Sequence, residues 1–486
     1  MIVETFARTA IEPGFRLCDF FPGDFGKVRS CSKILPGRAL HKHWSFSSET
    51  KQKDDPCDGG NEHMRSSKSP IIFAFAILFF ASLPPLVAED WPSWRGPSHN
   101  GSRTGENYPT KWSTDKVAWK VALPGKGASS PVIWKDRIFL TAPAEGVDTA
   151  LAFDLEGKQI WKTEFGAVTK AKHMKLGTSS NASPVTDGKG VFVYFKSGTF
   201  AALEMDGKIR WKRNLAEEFG RQDLYWDQGS SPILIGDLVI LPRLHSGDSW
   251  VAGFDKNTGK IRWKRERNYK VPAENDQGYT TPIPIRHGDK DAFLIWCSDH
   301  LTAYAADDGS LLWSSGGFNL KGRKLWPPIA TPVVAGDIAI VPVGRDDRKQ
   351  AEIHAVRLGG EGDVTMTHRT WDTDDFGVFV SSPVEYEGKV YLLRHKGEVV
   401  CLDPKTGKQF WSAKLPKSLI PYYASPVIAG GILYAPREDG VVFTARIGEK
   451  FELLGENDMG EQILATPVPF NGKLLIRTSG HLICVQ

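Results

Sequence analysis

The sequence predicts an all-β protein built as an eight-bladed β-propeller, in which eight small sheets surround one axis. Three observations lead to this fold. A turn that ends in a tryptophan recurs along the chain, a Ser/Thr-Pro pair followed by an apolar strand occurs eight times, and the first strand can complete the unit left unfinished at the last residue. Four short strands in each unit of about 40–50 residues are the signature of a propeller blade.

The tryptophan turn is clearest between Gly253 and Trp263, where a strand end, a tight turn and a new strand follow one another. Asp255 can cap the turn, and Gly259 supplies a backbone that tolerates positive φ. The pattern recurs at Cys401–Trp411 and, one residue shorter, at Asp154–Trp161, Glu204–Trp211 and Ala306–Trp313. A large flat aromatic can pack on the turn of the next blade. We therefore predict a structural docking role for Trp119, Trp161, Trp211, Trp263, Trp313, Trp371 and Trp411.

Ser/Thr-Pro pairs mark the first strand of every unit, at intervals of 41 to 53 residues. Proline suits a strand start because no ladder donor is needed there. After the proline come an apolar strand, a turn and a second apolar strand, as in Val427–Tyr434. The pairs are Ser130-Pro131, Ser183-Pro184, Ser231-Pro232, Thr281-Pro282, Thr331-Pro332, Ser382-Pro383, Ser425-Pro426 and Thr466-Pro467.

The two ends of the propeller region complement each other. The eighth unit stops at Gln486 after only three strands, and Val117–Val121 offers the missing fourth strand. Pairing the two would close the ring and leave no open edge. The fourth strands of the fifth and seventh units are the least regular, since Trp371 follows a long stretch and Phe451 stands where a tryptophan is expected.

Four regions follow from this pattern. Residues 1–63 show no clear period and are expected to be unstructured, or to reflect a start codon placed too far upstream. Residues 64–88 read as a signal peptide, with a basic start, an apolar run from Ile71 to Leu83 and a small-residue cleavage site. The alternative is an uncleaved membrane anchor through 70–88. Residues 89–112 form an irregular segment pinned by its aromatics, and 113–486 form the propeller. We expect a periplasmic or secreted protein.

Composition excludes some functions. The formal charge of the 486-residue chain is only +4, which lacks the basic excess of a nucleic-acid binder. Cys297, Cys401 and Cys484 are widely separated and are expected to be small buried side chains. The histidines are scattered without ligand spacing, so no metal site is expected.

The Asp-x-x-Thr-Gly-x-x-x-Trp pattern of Gly253–Trp263 and Cys401–Trp411 resembles the docking repeat of the pyrroloquinoline quinone (PQQ) enzyme-like propellers, over about residues 113–486. The opening Trp91-Pro92-Ser93-Trp94-Arg95-Gly96-Pro97 is similar to that of secreted members. The resemblance implies one of two branches. Quinoprotein dehydrogenases hold PQQ over a tryptophan floor with calcium, often beside a disulfide between adjacent cysteines, whereas BamB-like propellers are non-catalytic and bind partner proteins. This chain has no adjacent cysteine pair and only short units, which is closer to the second branch.

Candidate binding residues lie in the loops that follow fourth strands and at the ends of second strands. The loop residues are Trp226, Asp227, Gln228, Asp276, Gln277 and Trp326. The strand ends carry Arg243, Arg345, Arg394, Arg437 and Arg477. These arginines could form a basic ring that grips an acidic ligand. Alternatively, each pairs with a nearby carboxylate, as Arg345 could with Asp346 or Asp347, and Arg437 with Glu438. Asp227 and Asp276 could be a general base or calcium ligands, or simply turn caps.

The fold alone does not establish the function. The first hypothesis is an exported, non-catalytic scaffold, expected to be a monomer, that binds a protein or polymer on its loop-rich face without a catalytic residue or cofactor. A membrane-associated partner fits this hypothesis. The alternatives are a PQQ- and calcium-dependent alcohol or sugar dehydrogenase, and an extracytoplasmic sensor module related to kinase-associated propellers.

Overall fold

A computed structural model describes residues 90–105, 107–115, 117–173 and 175–486. The predicted extension at 1–63 and the predicted signal peptide at 64–88 lie outside these residues. Across the described ranges, no helical segment combines the length and the apolar character that a membrane crossing requires.

Eight sheets of four or five strands make up the propeller, as the sequence predicts. In chain order the strands are β1 Ser102–Arg103, β2 Trp119–Ala122, β3 Val132–Trp134, β4 Arg137–Ala144, β5 Val147–Asp154, β6 Gln159–Ala167, β7 Val185–Thr186, β8 Val191–Tyr194, β9 Thr199–Leu203, β10 Ile209–Asn214, β11 Ile233–Ile235, β12 Leu238–Arg243, β13 Trp250–Asp255, β14 Ile261–Glu266, β15 Ile283–His287, β16 Lys290–Cys297, β17 His300–Ala305, β18 Leu311–Ser315, β19 Val333–Ala335, β20 Ile338–Arg345, β21 Gln350–Arg357, β22 Gly362–Asp363, β23 Arg369–Thr373, β24 Val384–Tyr386, β25 Lys389–Leu393, β26 Glu398–Leu402, β27 Gln409–Lys414, β28 Val427–Ala429, β29 Ile432–Pro436, β30 Val441–Arg446, β31 Glu452–Asp458, β32 Val468–Phe470, β33 Lys473–Arg477 and β34 His481–Val485. Three short helices interrupt them: α1 Leu215–Phe219, a 3₁₀ turn at Asp346–Arg348 and α2 Thr365–His368.

Each blade is an antiparallel sheet of four strands in chain order. Blades 1 to 3 are β3–β6, β7–β10 and β11–β14, blade 4 is β15–β18, blade 5 is β19, β20, β21 and β23, and blades 6 and 7 are β24–β27 and β28–β31. Blade 8 contains β32–β34 with β2 as its outer strand. Two short strands add to this plan in parallel, since β22 extends the outer edge of blade 4 and β1 the inner edge of blade 7.

The ring closes as the sequence predicts. β2 pairs antiparallel with β34, with Trp119 opposite Cys484 and Ala122 opposite His481. The closing strand therefore lies at Trp119–Ala122, two residues further along at its start than the predicted Val117–Val121. Backbone bonds from Ala118 to Cys484 and from Leu123 to Gly480 extend the seam at both ends. No blade edge is left unpaired at this junction, which removes a template for aggregation.

Apolar side chains of the second and third strands fill the spaces between neighbouring blades. One such cluster joins Ile338, Ile340 and Ile353 of blade 5 to Leu392 and Val400 of blade 6. The fourth strands alternate between exposed and partly buried residues, as β6 and β27 show. Burial between blades therefore holds the ring together, while the outer strands face solvent.

The seven predicted tryptophans lie against the third strands of seven blades, from Trp161 in blade 1 to Trp411 in blade 6 and Trp119 in blade 8. Six indole N–H groups donate to a backbone carbonyl in the next blade, 2.8–3.0 Å away, for Trp119, Trp161, Trp211, Trp263, Trp371 and Trp411. Trp313 is fully buried, but its indole N–H has no hydrogen-bond partner among the described residues. Blade 5 lacks the Asp-Gly turn that supplies the acceptor elsewhere, because the chain there runs through β22 and α2.

Blade 7 corrects one expectation. Phe451 does not occupy the tryptophan position; the residue opposite Thr444 in that register is Gly455. The N-terminal segment fills the space instead, since a Cβ on Gly455 would strike the carbonyl of Thr110. Trp112 lies alongside, with its backbone N–H on Asn457 and its indole N–H 3.1 Å from the sulfur of Met459. A side chain from elsewhere in the chain thus replaces the missing local aromatic.

The Ser/Thr-Pro pairs form a belt of hydrogen bonds around the axis. In seven cases the backbone N–H of the Ser or Thr donates to the hydroxyl of its counterpart in the next blade, at 2.9–3.1 Å. The eighth link, from Ser425 to Thr466, is not formed among the described residues. The Thr466 hydroxyl accepts from the indole N–H of Trp94 instead, at 3.1 Å.

The segment before β2 lies against the inner strands at one end of the axis. Trp91 is fully buried and exchanges two backbone bonds with Ile133 of blade 1. Arg95, only 4% exposed, donates to the carbonyls of Pro383 and Pro426 in blades 6 and 7. Trp91 and Arg95 therefore hold this segment against the blades, and Trp94 is held at the axis between blades.

Candidate functional site

The face opposite this segment carries the loops. Turns between second and third strands meet the loops that follow the fourth strand of the same blade or of the preceding one. Arg243 at such a turn donates to the carbonyl of Gly220, and Lys196 contacts the carboxylate of Asp227. Loops also touch one another, since the N–H of Trp326 donates to Asn275 at 3.1 Å. We call this side the loop face.

An axial cup opens on the loop face. It is a cavity of roughly 320 Å³ around the propeller axis, above the belt of hydroxyl groups. Trp94 lines both this cavity and a small space beneath it that is shared with Arg95, so Trp94 forms the floor. The walls of the cup include Trp226, Asp227, Gly229, Tyr279, Arg345, Asp347, Phe379, His395 and Tyr423.

One wall of the cup comes from the loop between blades 2 and 3. The side chain of Asp227 is buried, accepts from the backbone N–H of Lys172 at 2.9 Å and is paired with Lys196. The Trp226 ring packs against His173 at a tilt of 41°, with centroids 4.1 Å apart. The backbone N–H of Trp226 also donates to the Tyr279 hydroxyl at 3.0 Å. This wall thus offers an indole and a phenol ring beside a neutralised carboxylate.

The opposite wall comes from blades 5 and 6. Arg345 makes two hydrogen bonds to Asp347, at 3.1 and 2.8 Å, and its guanidinium lies 4.2 Å from the Phe379 ring centroid. The His395 ring packs edge-on against Tyr423, with centroids 5.5 Å apart. Burial lowers the pKa of His395, so its imidazole is neutral near neutral pH. This wall again combines aromatic faces with a paired charge.

The five predicted arginines do not form a basic ring of free guanidinium groups. Arg243 and Arg477 are each 1% exposed and bond to backbone carbonyls of Leu215 and Gly220, and of Ser129. Burial lowers the pKa of Arg477 to about 9. These two side chains lie within the fold, where they tie loops to strands. Neither side chain lines the axial cup.

The other three arginines follow the alternative of local pairing. Arg345 pairs with Asp347, Arg394 with Glu398 at 2.5 Å, and Arg437 with Asp439 at 2.9 Å. The expected partner of Arg437 was Glu438, one residue earlier. Only Arg345 of the five lines the axial cup.

Of the predicted loop residues, some line the cup and others do not. Trp226 and Asp227 line the cup, whereas Gln228 and Gln277 are buried in loop contacts, with Gln277 accepting from the N–H of Tyr225 at 2.6 Å. Asp276 offers its carbonyl, not its carboxylate, to the Cys297 sulfur at 3.5 Å. Trp326 lies away from the axis, in a second cavity of roughly 400 Å³ that it shares with Phe318, His354 and Arg369.

Sequence reasoning missed Trp94, Tyr279, Phe379, His395 and Tyr423. Three of them carry a signal that could have been read, because Tyr279, Phe379 and Tyr423 come two or three residues before a Ser/Thr-Pro pair. Those pairs line the axis, so aromatic residues just before them face it too. His395 and Trp94 have no comparable local signal.

The donor set of the cup can be compared with the calcium-bound quinone of the alternative hypothesis. Calcium takes about six to eight oxygen ligands, including carboxylates. The cup carboxylates of Asp227 and Asp347 are already paired with Lys196 and Arg345. Across the described residues, no group of three or more His, Cys, Asp or Glu side chains is placed to hold a metal ion. The residues present therefore do not fit that cofactor.

Sequence comparisons agree with the architecture. The family described as outer membrane protein assembly factor BamB matches residues 99–270, 148–316 and 298–450. The Yersinia pestis protein of that name is 20% identical over 344 residues, covering 71% of this chain and 70% of its own. The Moranella endobia counterpart is 21% identical over 362 residues, covering 72% and 83%.

Solved structures show the same fold. BamB from Moraxella catarrhalis aligns with a TM-score of 0.55 at 14% identity, covering 76% of this chain and 99% of that one. A europium-containing methanol dehydrogenase aligns with a TM-score of 0.57 at 12% identity, covering 81% and 90%. At these identities the likeness concerns the fold alone.

Proposed function

Because this chain belongs to the family of outer membrane protein assembly factor BamB, we propose that it is an exported, non-catalytic propeller that holds a protein partner on its loop face. Relatives of this kind support a scaffold role in general and an envelope location. The signal peptide predicted at 64–88 is consistent with export. The binding surface we propose is the loop face, because apolar side chains are exposed there.

Apolar side chains stand exposed at the tips of three loops on this face. Leu419 is 98% exposed, Leu320 88% and Tyr225 51%, and Leu325 and Ile420 lie beside them in the same loops. We call these five residues the apolar rim. They follow the outer strands of alternate blades, 2, 4 and 6, so they lie at three separate positions around the loop face. Clusters of exposed apolar groups on a soluble surface mark protein interaction sites.

The polar groups around the rim favour binding over chemistry. Asp227, Asp347, Arg345 and Arg437 are each held by an ion pair within the chain. A general acid or base needs a free, positioned proton donor or acceptor at the reacting group. Paired charges beside exposed apolar tips instead resemble the polar surroundings of an interface core.

Site-specific photo-crosslinking tests this proposal. A photoreactive residue placed at Leu320 or Leu419 in the native cell envelope should capture the same partner protein from both positions. Placed at Leu311 or Phe410, it should not. Those two side chains are 51% and 49% exposed, but they lie on outer strands rather than on the loop face.

A variant with negative charges on the rim completes the test. The triple change Tyr225→Asp, Leu320→Asp and Leu419→Asp should reduce partner binding by at least about tenfold, because it removes the apolar contacts. The matched variant Leu311→Asp with Phe410→Asp should bind as the unaltered chain does. Equal capture from rim and outer strands, or full binding by the triple variant, would exclude the loop face as the binding surface.

A further inference from the structure

We propose that the axial cup is a binding site for a neutral saccharide, of the size of one or two sugar rings. This site goes beyond the docking function, since it lies inside the ring of loops and could be filled whether or not a protein sits on the rim. Three features of the cup carry the inference: its closed end, its aromatic walls and its paired charges.

The shape of the cup suits a small ligand or the end of a chain. Its floor is closed by Trp94, which is fixed by the hydrogen bond to Thr466. A ligand can therefore enter only from the loop face. The volume of roughly 320 Å³ lies at the lower end of the range for small-molecule sites, about 300–1,000 Å³. The cup is too small for a folded segment and large enough for a sugar.

Aromatic rings surround the cup on several sides. Trp94 lies below, Trp226 and Tyr279 on one side, and Phe379 and Tyr423 on the other. Such rings present flat apolar faces with a negative quadrupole. The C–H groups on one face of a pyranose ring are apolar and slightly positive, so they pack well on such faces. The hydroxyl groups at the sugar's edge then point at the polar side chains between the rings.

Every charge in the cup is balanced within its own wall. Asp227 faces Lys196 on one side, and Asp347 faces Arg345 on the other. An anion or a cation would gain no net attraction and would lose its hydration. A neutral polyhydroxyl ligand avoids this penalty. The Arg345–Asp347 pair still has oxygen and N–H positions for hydroxyl groups, because its side chains are 13% and 21% exposed.

The test fills the cup without disturbing its walls. Gly229 lines the cup, and a Cβ built on it meets nothing closer than the carbonyl of Tyr279, at 3.7 Å. Gly229→Trp should therefore place an indole in the cavity while the propeller stays folded. Gly448→Trp is the matched control, since a Cβ there meets nothing within 4 Å and Gly448 lies at the turn that receives Trp411, away from the loop face.

The purified chain is titrated with N-acetylglucosamine, maltotriose and cellotriose, each up to about 10 mM, by saturation-transfer NMR and calorimetry. We expect at least one saccharide to bind with a millimolar or lower Kd, and Gly229→Trp to weaken it by at least about tenfold while Gly448→Trp does not. Tyr423→Leu keeps an apolar wall but removes a ring face, and should weaken binding about threefold or more.

Three results would overturn the proposal. One is that none of the three saccharides binds the unaltered chain. Another is that a saccharide binds equally well to Gly229→Trp, which would place it outside the cup. The third is that PQQ with calcium binds in the cup, is displaced by Gly229→Trp and is not displaced by any saccharide, which would favour the dehydrogenase alternative. None of these results bears on the rim, so the docking proposal is judged separately.

Discussion

Glycine at the tryptophan turn is required by two physical effects at once. Gly309 has a φ of +71°, a backbone conformation that other residues adopt at a cost. A Cβ on Gly309 would also overlap the ring of Trp263, which donates its indole N–H to Ala306 in the same turn at 3.0 Å. The repeat therefore keeps glycine because the tryptophan of one blade occupies the space where the next blade would carry a side chain.

The two effects can be separated by a matched pair of variants. Gly309→Ala should lower the free energy of unfolding by roughly 3 kcal/mol, from backbone strain plus steric overlap. Gly288→Ala should cost only about 1 kcal/mol, because Gly288 has a φ of +57° but nothing within 4 Å of its added Cβ. Urea unfolding followed by tryptophan fluorescence measures both. Equal losses would mean that the packing of Trp263 on the turn adds nothing.

Asp148 is a buried acid whose charge opposes folding. It is fully buried, and this burial raises the pKa of its carboxyl from 3.8 to about 7, against a smaller opposing effect of Ser197. Between those two values the folded state holds a proton that the unfolded state has lost. The contribution of this group to stability therefore falls as the pH rises from about 4 to about 7.

Asp148→Asn should abolish that dependence. The variant should match the unaltered chain near pH 4 and be more stable above about pH 7, by up to roughly 4 kcal/mol at 1.36 kcal/mol per pKa unit. Thermal or urea unfolding at several pH values gives the difference. Asp289→Asn, at an exposed position, serves as the control and should show no such trend. A difference that is constant with pH would refute this role for Asp148.

Among the elements, β2 decides whether the ring is closed. It is only four residues long, yet it covers the edge of β34, whose Leu482 to Val485 are buried. An apolar strand with an uncovered edge is a template for pairing with another chain. The seam between the first and last strands is therefore the place where this propeller is most exposed to misassembly.

Two truncations isolate this seam. A chain that begins at Leu123 lacks both the N-terminal segment and β2, whereas a chain that begins at Asp115 lacks the segment but keeps β2. We expect the first to form soluble oligomers or aggregates and to lose roughly 3 kcal/mol or more relative to the second. Size-exclusion chromatography with light scattering and urea unfolding measure this. Two equally monomeric and equally stable truncations would show that β2 is dispensable.

The elements also show which parts of the fold can be predicted from the sequence. Period-two patterns and regular turn spacing were enough to predict eight blades and the closing strand, because both follow from residues close together in the chain. The same spacing misplaced Phe451, since Gly455 occupies the tryptophan position and residues 110–112 cover it. A contact made by a segment more than 300 residues away leaves no mark on local spacing.

The site was harder to predict for a related reason. Arg243, Arg345 and Arg477 occupy equivalent strand ends, but their orientation depends on which partner the neighbouring loop supplies. Gly220 and Ser129 offer carbonyls to the first and last, and Asp347 offers a carboxylate to Arg345. The position in the repeat thus predicted the backbone location of these arginines, but it did not predict which groups their guanidiniums contact. Apart from Trp226, the aromatic lining of the cup was missed, because it is assembled from single residues of several blades.

At the scale of the whole molecule, the belt of hydroxyl groups joins neighbouring blades at the axis. In an open array of repeats, stability is nearly a sum of units and nearest-neighbour contacts. Closure removes the free ends of that array, so each blade is supported on both sides. The single missing link, between Ser425 and Thr466, is where Trp94 enters. The belt and the floor of the cup are therefore parts of one hydrogen-bonded structure.

Removing one hydroxyl from this belt tests the idea. Thr331→Val keeps the side-chain shape but takes away the acceptor of the Thr281 N–H, which is 3.1 Å from it and buried. We expect a loss of about 1–3 kcal/mol, the cost of leaving a buried N–H unpaired. Thr104→Val, at an exposed position, should cost less than about 0.5 kcal/mol. Because the ring is closed, fluorescence and circular dichroism should still report one shared transition, at lower urea. Two separate transitions, or an unchanged midpoint for Thr331→Val, would contradict this. The apolar contacts between blades would then hold the ring together, and the hydroxyl belt would add no stability.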